Sequence, residues 1–513
     1  MSATLLFSFV IGYFLILLIV AYFTSRHSNN DSFFIGNRNS NWMLVAFGMI
    51  GTSLSGVTFV SVPGTVGTAA FSYFQVVIGY LLGYIVVAFV LLPLYYRLHL
   101  TSIYNYLQHR FGTVSYKTGA LFFIISRTLG ATARLYLVIN VLQLFILKDL
   151  HISFGFATFI ILALILLYTF EGGVKTIVYT DTLQTTFMLL GLIVCIIYIM
   201  TNMNHSVGST LQELGTNGLT KIFNTDAAAP GYFLKSILGG MFITIGMTGL
   251  DQEMMQKNIS VKNLKDSQKN MMTFSIIMVL VNLLFLLLGG VLYLYGKKNN
   301  IVVPGDDLFP TIALNGLLPG GIAIIFIIGL ISALFPSADG ALTALTSSFC
   351  IDILGLKRRT DLTEKEKKRI RLTVHLCFAL LFFIMVMLFK AMNSKSVIDI
   401  ILKVAGFTYG PLLGLFAFGI FTNRTINDKA ALYVCLLAPL LIFGIDFINN
   451  IVWWQKQLQL SGSWVESVQA VSTALFGQFK IGTELLIYNG MLTFLGLALI
   501  SKPVLKPVLQ KAV

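Results

Sequence analysis

The chain has 513 residues, of which 56% are hydrophobic and only 11% charged, against roughly 25% charged in an average soluble domain. The formal net charge is +14. So few charges cannot coat a water-soluble particle of this size, and the composition excludes disorder, coiled coil and a disulfide-built secreted scaffold. The four cysteines, Cys195, Cys350, Cys377 and Cys435, lie in apolar stretches without a CxxC and read as small buried hydrophobes.

A bilayer core of ~30 Å is crossed by about 20 apolar residues as helix. Thirteen stretches qualify: 3–23, 42–70, 71–97, 118–147, 152–170, 178–201, 231–255, 271–295, 318–355, 372–392, 397–421, 428–452 and 485–502. They are continuous apolar runs, so a barrel of alternating ~10-residue strands is excluded. The first has no basic leader and no A-x-A site, and reads as a retained helix. The ninth is long enough to project beyond the bilayer.

Thirteen crossings put the termini on opposite sides. With the N-terminus outside, the inner segments hold 23 Lys and Arg and the outer ones 8. The positive-inside rule therefore predicts N-out, C-in in a cell inner membrane. The basic residues are spread over many short loops, so the net charge implies no nucleic-acid partner. The sequence identifies no protein partner.

Ionisable groups within spans are expensive and therefore functional candidates. Arg127 and Arg134, seven residues apart, share a face of the fourth span. Asp181 begins the sixth span and Asp339 lies within the ninth; neither has a basic residue within four positions. Asp251 and Glu253 close the seventh span just before Lys257, which reads as pairing at the inner interface. Asp399 and Lys403 are spaced as a helical salt bridge.

Two spans carry weak helix. In the second, Gly51-Thr52-Ser53-Leu54-Ser55-Gly56 combines two glycines with three hydroxyl residues. The seventh contains Gly246-Met247-Thr248-Gly249. Broken backbone at membrane depth survives where it lines a cavity, and its freed carbonyls suit hard cations. Breaks five spans apart predict a five-plus-five inverted repeat. This gives an all-α integral membrane fold of about 13 transmembrane helices, with broken first and sixth core helices. The expected division is an extra helix and inner loop over 1–41, a first repeat over 42–201, an external loop over 202–230, a second repeat over 231–421 and two final helices within 422–513.

The chain resembles the sodium:solute symporter family along nearly its whole length. The carrying motifs are Gly51–Gly64, Thr101-Ser102-Ile103-Tyr104-Asn105-Tyr106-Leu107, Gly172-Gly173-Val174-Lys175 leading to Tyr179–Gln184, Asp251-Gln252 through Gln256-Lys257, and Ser337–Ile353. The resemblance implies a sodium-coupled secondary symporter, not an enzyme, that imports a small polar solute such as a sugar, a sugar acid or another carboxylate. Its coupling ion would be Na+, with the carbonyls of Gly51, Leu54 and Ala333 and the Ser337 hydroxyl as ligands. Where family members often carry a second serine, this chain has Pro336, which frees the Ser332 carbonyl instead. Asp181 matches the acid of a second sodium site found in some members. The two hydroxyls of that site are here Asp339 and Gly340, so Asp181 and Asp339 would hold either a second Na+ or a proton. The family pattern points Ser53, Ser55, Thr58 and Phe59 at the solute, with Gln75 and Gln252 as further candidates. The carboxylate-binding Arg of sialic acid members falls on Thr132, and Arg134 stands two residues away. A proton-coupled transporter on the same fold and a transport-inactive sensor remain as alternatives.

Overall fold

The computed structural model describes residues 3–25, 33–34, 38–170, 173–301, 303, 305–315, 317–392 and 397–503. Arg26, Gly172, Lys395, Lys506, Lys511 and the side chains of Lys175 and Asp399 lie outside the described residues.

Thirteen apolar helical segments follow one another in the predicted order. Eight are single helices long and apolar enough to cross a bilayer, three are bent pairs, and Phe154–Thr169 and Leu485–Leu499 are shorter apolar helices. The first, Ala3–Ser25, turns Leu15, Ile19 and Phe23 outward, as a helix set against lipid requires. The long fourth, eighth and ninth spans are Thr113–Leu147, Leu264–Lys298 and Gly320–Ile353. They form the interior, with most of the ninth buried.

The second span is two helices, Trp42–Ser53 and Gly56–Ala69, bent by 57°. Asn41 starts it by accepting the Met43 N–H at 2.9 Å. Its helix stops at Leu54 (φ −86°, ψ 87°), and Ser55 is extended (φ −80°, ψ 173°). The carbonyls of Gly51, Thr52, Ser53 and Leu54 receive no backbone N–H among the described residues. The Gly/Ser/Thr composition thus yields a true break, as small and hydroxyl residues weaken helix.

The seventh span breaks in the same manner. Phe233–Gly249 ends in a π-type turn and meets Gln252–Ile259 at 64°. Asp251 caps the second half, accepting the N–H groups of Glu253 at 2.9 Å and Met254 at 3.2 Å. The eleventh span bends by 43° between Val397–Thr408 and Gly410–Phe421, where Pro411 enters the second half.

Three features depart from the sequence reading. The 202–230 connection carries a helix, Val207–Thr216, and two more, Ile451–Leu458 and Ser463–Phe476, fill the last connection. A short antiparallel pair joins Arg424–Ile426 to Ser501–Pro503. Cys377 is exposed, whereas Cys195, Cys350 and Cys435 are buried as expected. Cys377 sits on the outward face of the tenth span beside Leu376 and Leu380, where lipid in place of protein would cover it.

Candidate functional site

The two breaks and the fourth span line a partly open cleft with room of about 100 Å³ for water-sized groups. The break supplies Thr52, Ser53, Leu54, Ser55 and Thr58; the seventh span adds Thr244 and Thr248; the third adds Tyr73, Tyr80 and Tyr84; and the fourth adds Arg127 and Arg134. Its hydroxyls, aromatic rings and two guanidinium groups are interleaved with apolar side chains, among them Val57, Ile243, Met247 and Met278.

Those two arginines differ in their partners. Arg127 is paired with Glu253 and lies 4.0 Å from Asp251. Arg134 has no acidic partner within ion-pair distance among the described residues, although it is 9% exposed. Thr132, the position suggested by family register, is fully buried and donates to the Thr128 carbonyl at 2.6 Å. Two residues rotate a helix by about 200°, so the wall that Thr132 leaves is the one Arg134 joins.

The predicted solute residues separate into two groups. Ser53, Ser55, Thr58 and Arg134 line the cleft. Phe59, Gln75 and Gln252 do not. Phe59 is buried in a ring cluster with Phe285, Phe309 and Phe326; adjacent to Thr58, it is turned about 100° away by the helix. The Gln75 amide accepts the Asn224 N–H at 3.1 Å and donates to the Ser72 carbonyl at 2.9 Å. Gln252 accepts from the Ile103 N–H and donates to the Thr101 carbonyl, both at 3.0 Å. Both glutamines tie connecting segments to spans. The 98–112 side is closed further by Tyr95 and Tyr104, whose hydroxyls donate to the carbonyls of Gly249 and Leu250 at 2.7 and 3.0 Å.

Of the residues expected around the coupling ion, Gly51 lies against the ninth span at Pro336, the neighbour of Ser337. A Cβ on Gly51 would meet Pro336 Cγ at 3.2 Å and would also strike the Thr185 hydroxyl. Only glycine lets the second span approach the ninth this closely. The Gly51 N–H donates to Thr185 Oγ1 at 3.0 Å. Ala333 and Ser337 are fully buried, and Ser337 Oγ donates to the Leu334 carbonyl at 2.8 Å, which leaves its lone pairs free to accept a cation. Pro336 has no N–H to offer Ser332, whose hydroxyl donates to Tyr13 Oη at 2.8 Å. Freed carbonyls and a hydroxyl in a dry contact are the oxygen donors a hard monovalent cation requires.

Asp181 and Asp339 are engaged by different groups. Asp181 Oδ2 accepts from Lys257 Nζ at 2.6 Å and from Thr52 Oγ1 at 3.1 Å. Asp339 Oδ2 accepts from the Tyr168 hydroxyl at 2.7 Å, and its Oδ1 from the Gly340 N–H. The interfacial reading of Asp251, Glu253 and Lys257 is corrected: their side chains are 0%, 2% and 3% exposed. Lys257 followed by further lysines resembles the start of an inner loop in the sequence. The bend of 64° instead turns its helix back into the protein. Lys403 meets Asp446 at 2.7 Å; the side chain of its expected partner, Asp399, lies outside the described residues.

Broken spans around a cleft at membrane depth, with carbonyls at the break that receive no backbone N–H among the described residues, are the architecture of a secondary transporter. The family model described as the sodium:solute symporter family matches residues 33–437. The chain belongs to that family and is a multi-pass membrane protein that couples Na+ to a small solute. It is 24% identical over 441 residues to the sodium/sialic acid symporter NanT of Aliivibrio fischeri, covering 82% of this chain and 83% of that one. It is 26% identical over 440 residues to the human sodium-coupled monocarboxylate transporter 2, covering 82% and 68%. A solved Na+-coupled sialic acid symporter, in a substrate-bound outward-open state, superposes with a TM-score of 0.79 at 19% identity, covering 97% of this chain and 99% of that one. That likeness establishes the inverted-repeat fold, and none of these relatives supports the proton-coupled alternative.

Proposed function

We propose that this symporter imports a small organic anion, and that Arg134 receives its carboxylate. The observation that carries this is a buried guanidinium lining the cleft, with no acid in ion-pair distance among the described residues. An arginine held so is costly unless an anion completes it, and guanidinium groups bind carboxylates through two parallel hydrogen bonds. Ser53, Ser55 and Thr58 supply neutral donors and acceptors around the rest of the solute. The sialic acid and monocarboxylate relatives are named for acids, which supports the same choice.

The proposed sodium ligands are the carbonyls of Gly51, Leu54 and Ala333 and the hydroxyl of Ser337. Na+ there ties the second span to the ninth and fixes the break that presents Ser53, Ser55 and Thr58. Solute then binds a formed cavity, and the repeats 42–201 and 231–421 exchange outward and inward access. The proposed orientation is N-terminus outside and C-terminus inside. Removing Lys257 from the inner loops leaves 22 basic residues against 8, still a strong positive-inside bias.

The test is uptake into proteoliposomes under an inward Na+ gradient. Labelled N-acetylneuraminate, lactate, galactose and proline are each offered. Uptake of an acid, inhibited by other acids and not by neutral sugars, supports the proposal. Preferential uptake of a neutral sugar refutes it.

A further inference from the structure

The ammonium of Lys257 is joined to three separate elements. It donates to Asp181 Oδ2 on the sixth span at 2.6 Å and to Thr52 Oγ1 on the broken second span at 2.5 Å. It also lies 3.7 Å from Glu253 Oε1, four residues back on its own half-helix. The side chain is 3% exposed and Asp181 is fully buried. On the ninth span, the neighbour is Gly340: a Cβ there would meet Lys257 Nζ at 3.3 Å and would strike the Glu253 carboxylate.

This arrangement leaves few oxygens for a second sodium ion. A sodium ion at Asp181 requires several oxygen ligands, as hard cations do. The Thr52 hydroxyl already accepts from the ammonium and donates to Asp181. Position 340 has no side chain, and the Lys257–Glu253 pair fills the space that one would take. Both oxygens of Asp339 accept hydrogen bonds, one from Tyr168 and one from Gly340. Among the described residues Asp181 Oδ1 and Glu253 Oε1 have no hydrogen-bond partner, but the Glu253 oxygen already faces the Lys257 ammonium at 3.7 Å, and these two alone are not a coordination shell.

We propose that Lys257 is the built-in cation of the Asp181 site, so that this chain binds one Na+ per transport cycle, at the second-span break, and none at Asp181. A tethered ammonium contributes the same unit charge as a second sodium ion without drawing on the ion gradient. It also fastens the break to the sixth span and to the second half of the seventh. Because Thr52 adjoins Gly51, whose N–H is held by Thr185 four residues beyond Asp181, the ammonium and the proposed sodium ion would stabilise the same short segment from two sides. The proposal rests on the sodium-coupled reading and fixes its stoichiometry.

The experiment is direct binding of ²²Na+ to the purified full-length protein, with the number of ions bound at saturation as the readout. Wild type is expected to bind one, and Asp181→Asn also one. Lys257→Met uncovers Asp181 and is expected to bind two. If Asp181→Asn does not fold, the neutral pair Asp181→Asn with Lys257→Met takes its place, with one ion expected. Two ions in wild type, falling to one in Asp181→Asn, overturn the proposal and leave sodium coupling intact. One ion of unchanged affinity in Lys257→Met also overturns it, because the ammonium then only props the structure. No sodium bound by folded wild type refutes the sodium-coupled reading itself.

Discussion

Replacing Arg134 by Gln removes a cleft-lining guanidinium that has no acidic partner to strand among the described residues. The protein should therefore fold, because no buried carboxylate is left without its counter-charge. The loss should fall on the solute. A hydrogen bond to a charged group is worth about 1.5–3 kcal/mol, which converts to a rise in half-saturation of roughly 10- to 150-fold. Arg127 supplies the contrast from the same wall. It is paired with Glu253, and breaking a buried pair by removing one partner costs about 3–5 kcal/mol, so Arg127→Gln should lower yield and thermal stability. The assay is competition for labelled N-acetylneuraminate uptake by the free acid and by its methyl ester, which lacks the charge. Wild type should prefer the acid, and Arg134→Gln should lose most of that preference. Equal weakening of acid and ester in Arg134→Gln would refute the carboxylate assignment.

Three further outcomes follow from the same geometry. Ser337→Ala should raise the sodium concentration for half-maximal uptake by roughly 5- to 150-fold, equivalent to ~1–3 kcal/mol for a lost ligand, with a normal melting temperature; an unchanged sodium curve moves the ion elsewhere. Gly51→Ala pushes a methyl against Pro336 and the Thr185 hydroxyl, so sodium-dependent uptake should be lost while the protein still reaches the membrane, as checked by surface labelling. Pro336→Ser should keep sodium affinity, since the hydroxyl it adds offsets the Ser332 carbonyl it recaptures; loss of uptake at normal expression would show that the proline itself shapes the site.

Much of this architecture was legible because lipid enforces it. Backbone in a bilayer must satisfy its own hydrogen bonds, so each of the thirteen apolar runs becomes a single helix or a bent pair of helices among the described residues. The break at Gly51–Gly56 was legible for the opposite reason, since its residues are poor helix formers where a helix would otherwise run on. Side-chain direction was less accessible. Thr58 and Phe59 are neighbours in the sequence and face different surroundings, a distinction set by helix rotation. Gln75 and Gln252 look like solute ligands by polarity, yet each is taken up by backbone groups of a connecting segment. Lys257 was hidden by its context, because it opens a lysine-rich stretch that resembles an inner loop. The available signal was its spacing: four residues after Glu253 it shares that side chain's face, on the half-helix that Asp251 caps.

The Arg127–Glu253 and Lys257–Asp181 pairs tie three spans together, the fourth and the sixth each to the second half of the broken seventh. Isolated buried pairs contribute little net stability against well-packed apolar residues, so their value here lies in holding broken backbone in register. Asp251 combines two tasks: it caps the Gln252–Ile259 helix and accepts from the Tyr409 hydroxyl at 2.6 Å, linking the seventh break to the eleventh bend.

In this symporter the sodium gradient drives solute uptake. The most direct measurement is accumulation of labelled solute in proteoliposomes under an inward Na+ gradient at equal pH, compared with an inward proton gradient in choline. Uphill accumulation is expected with sodium, with collapse on adding a sodium ionophore and none in choline. Accumulation driven by the proton gradient without sodium would contradict sodium coupling.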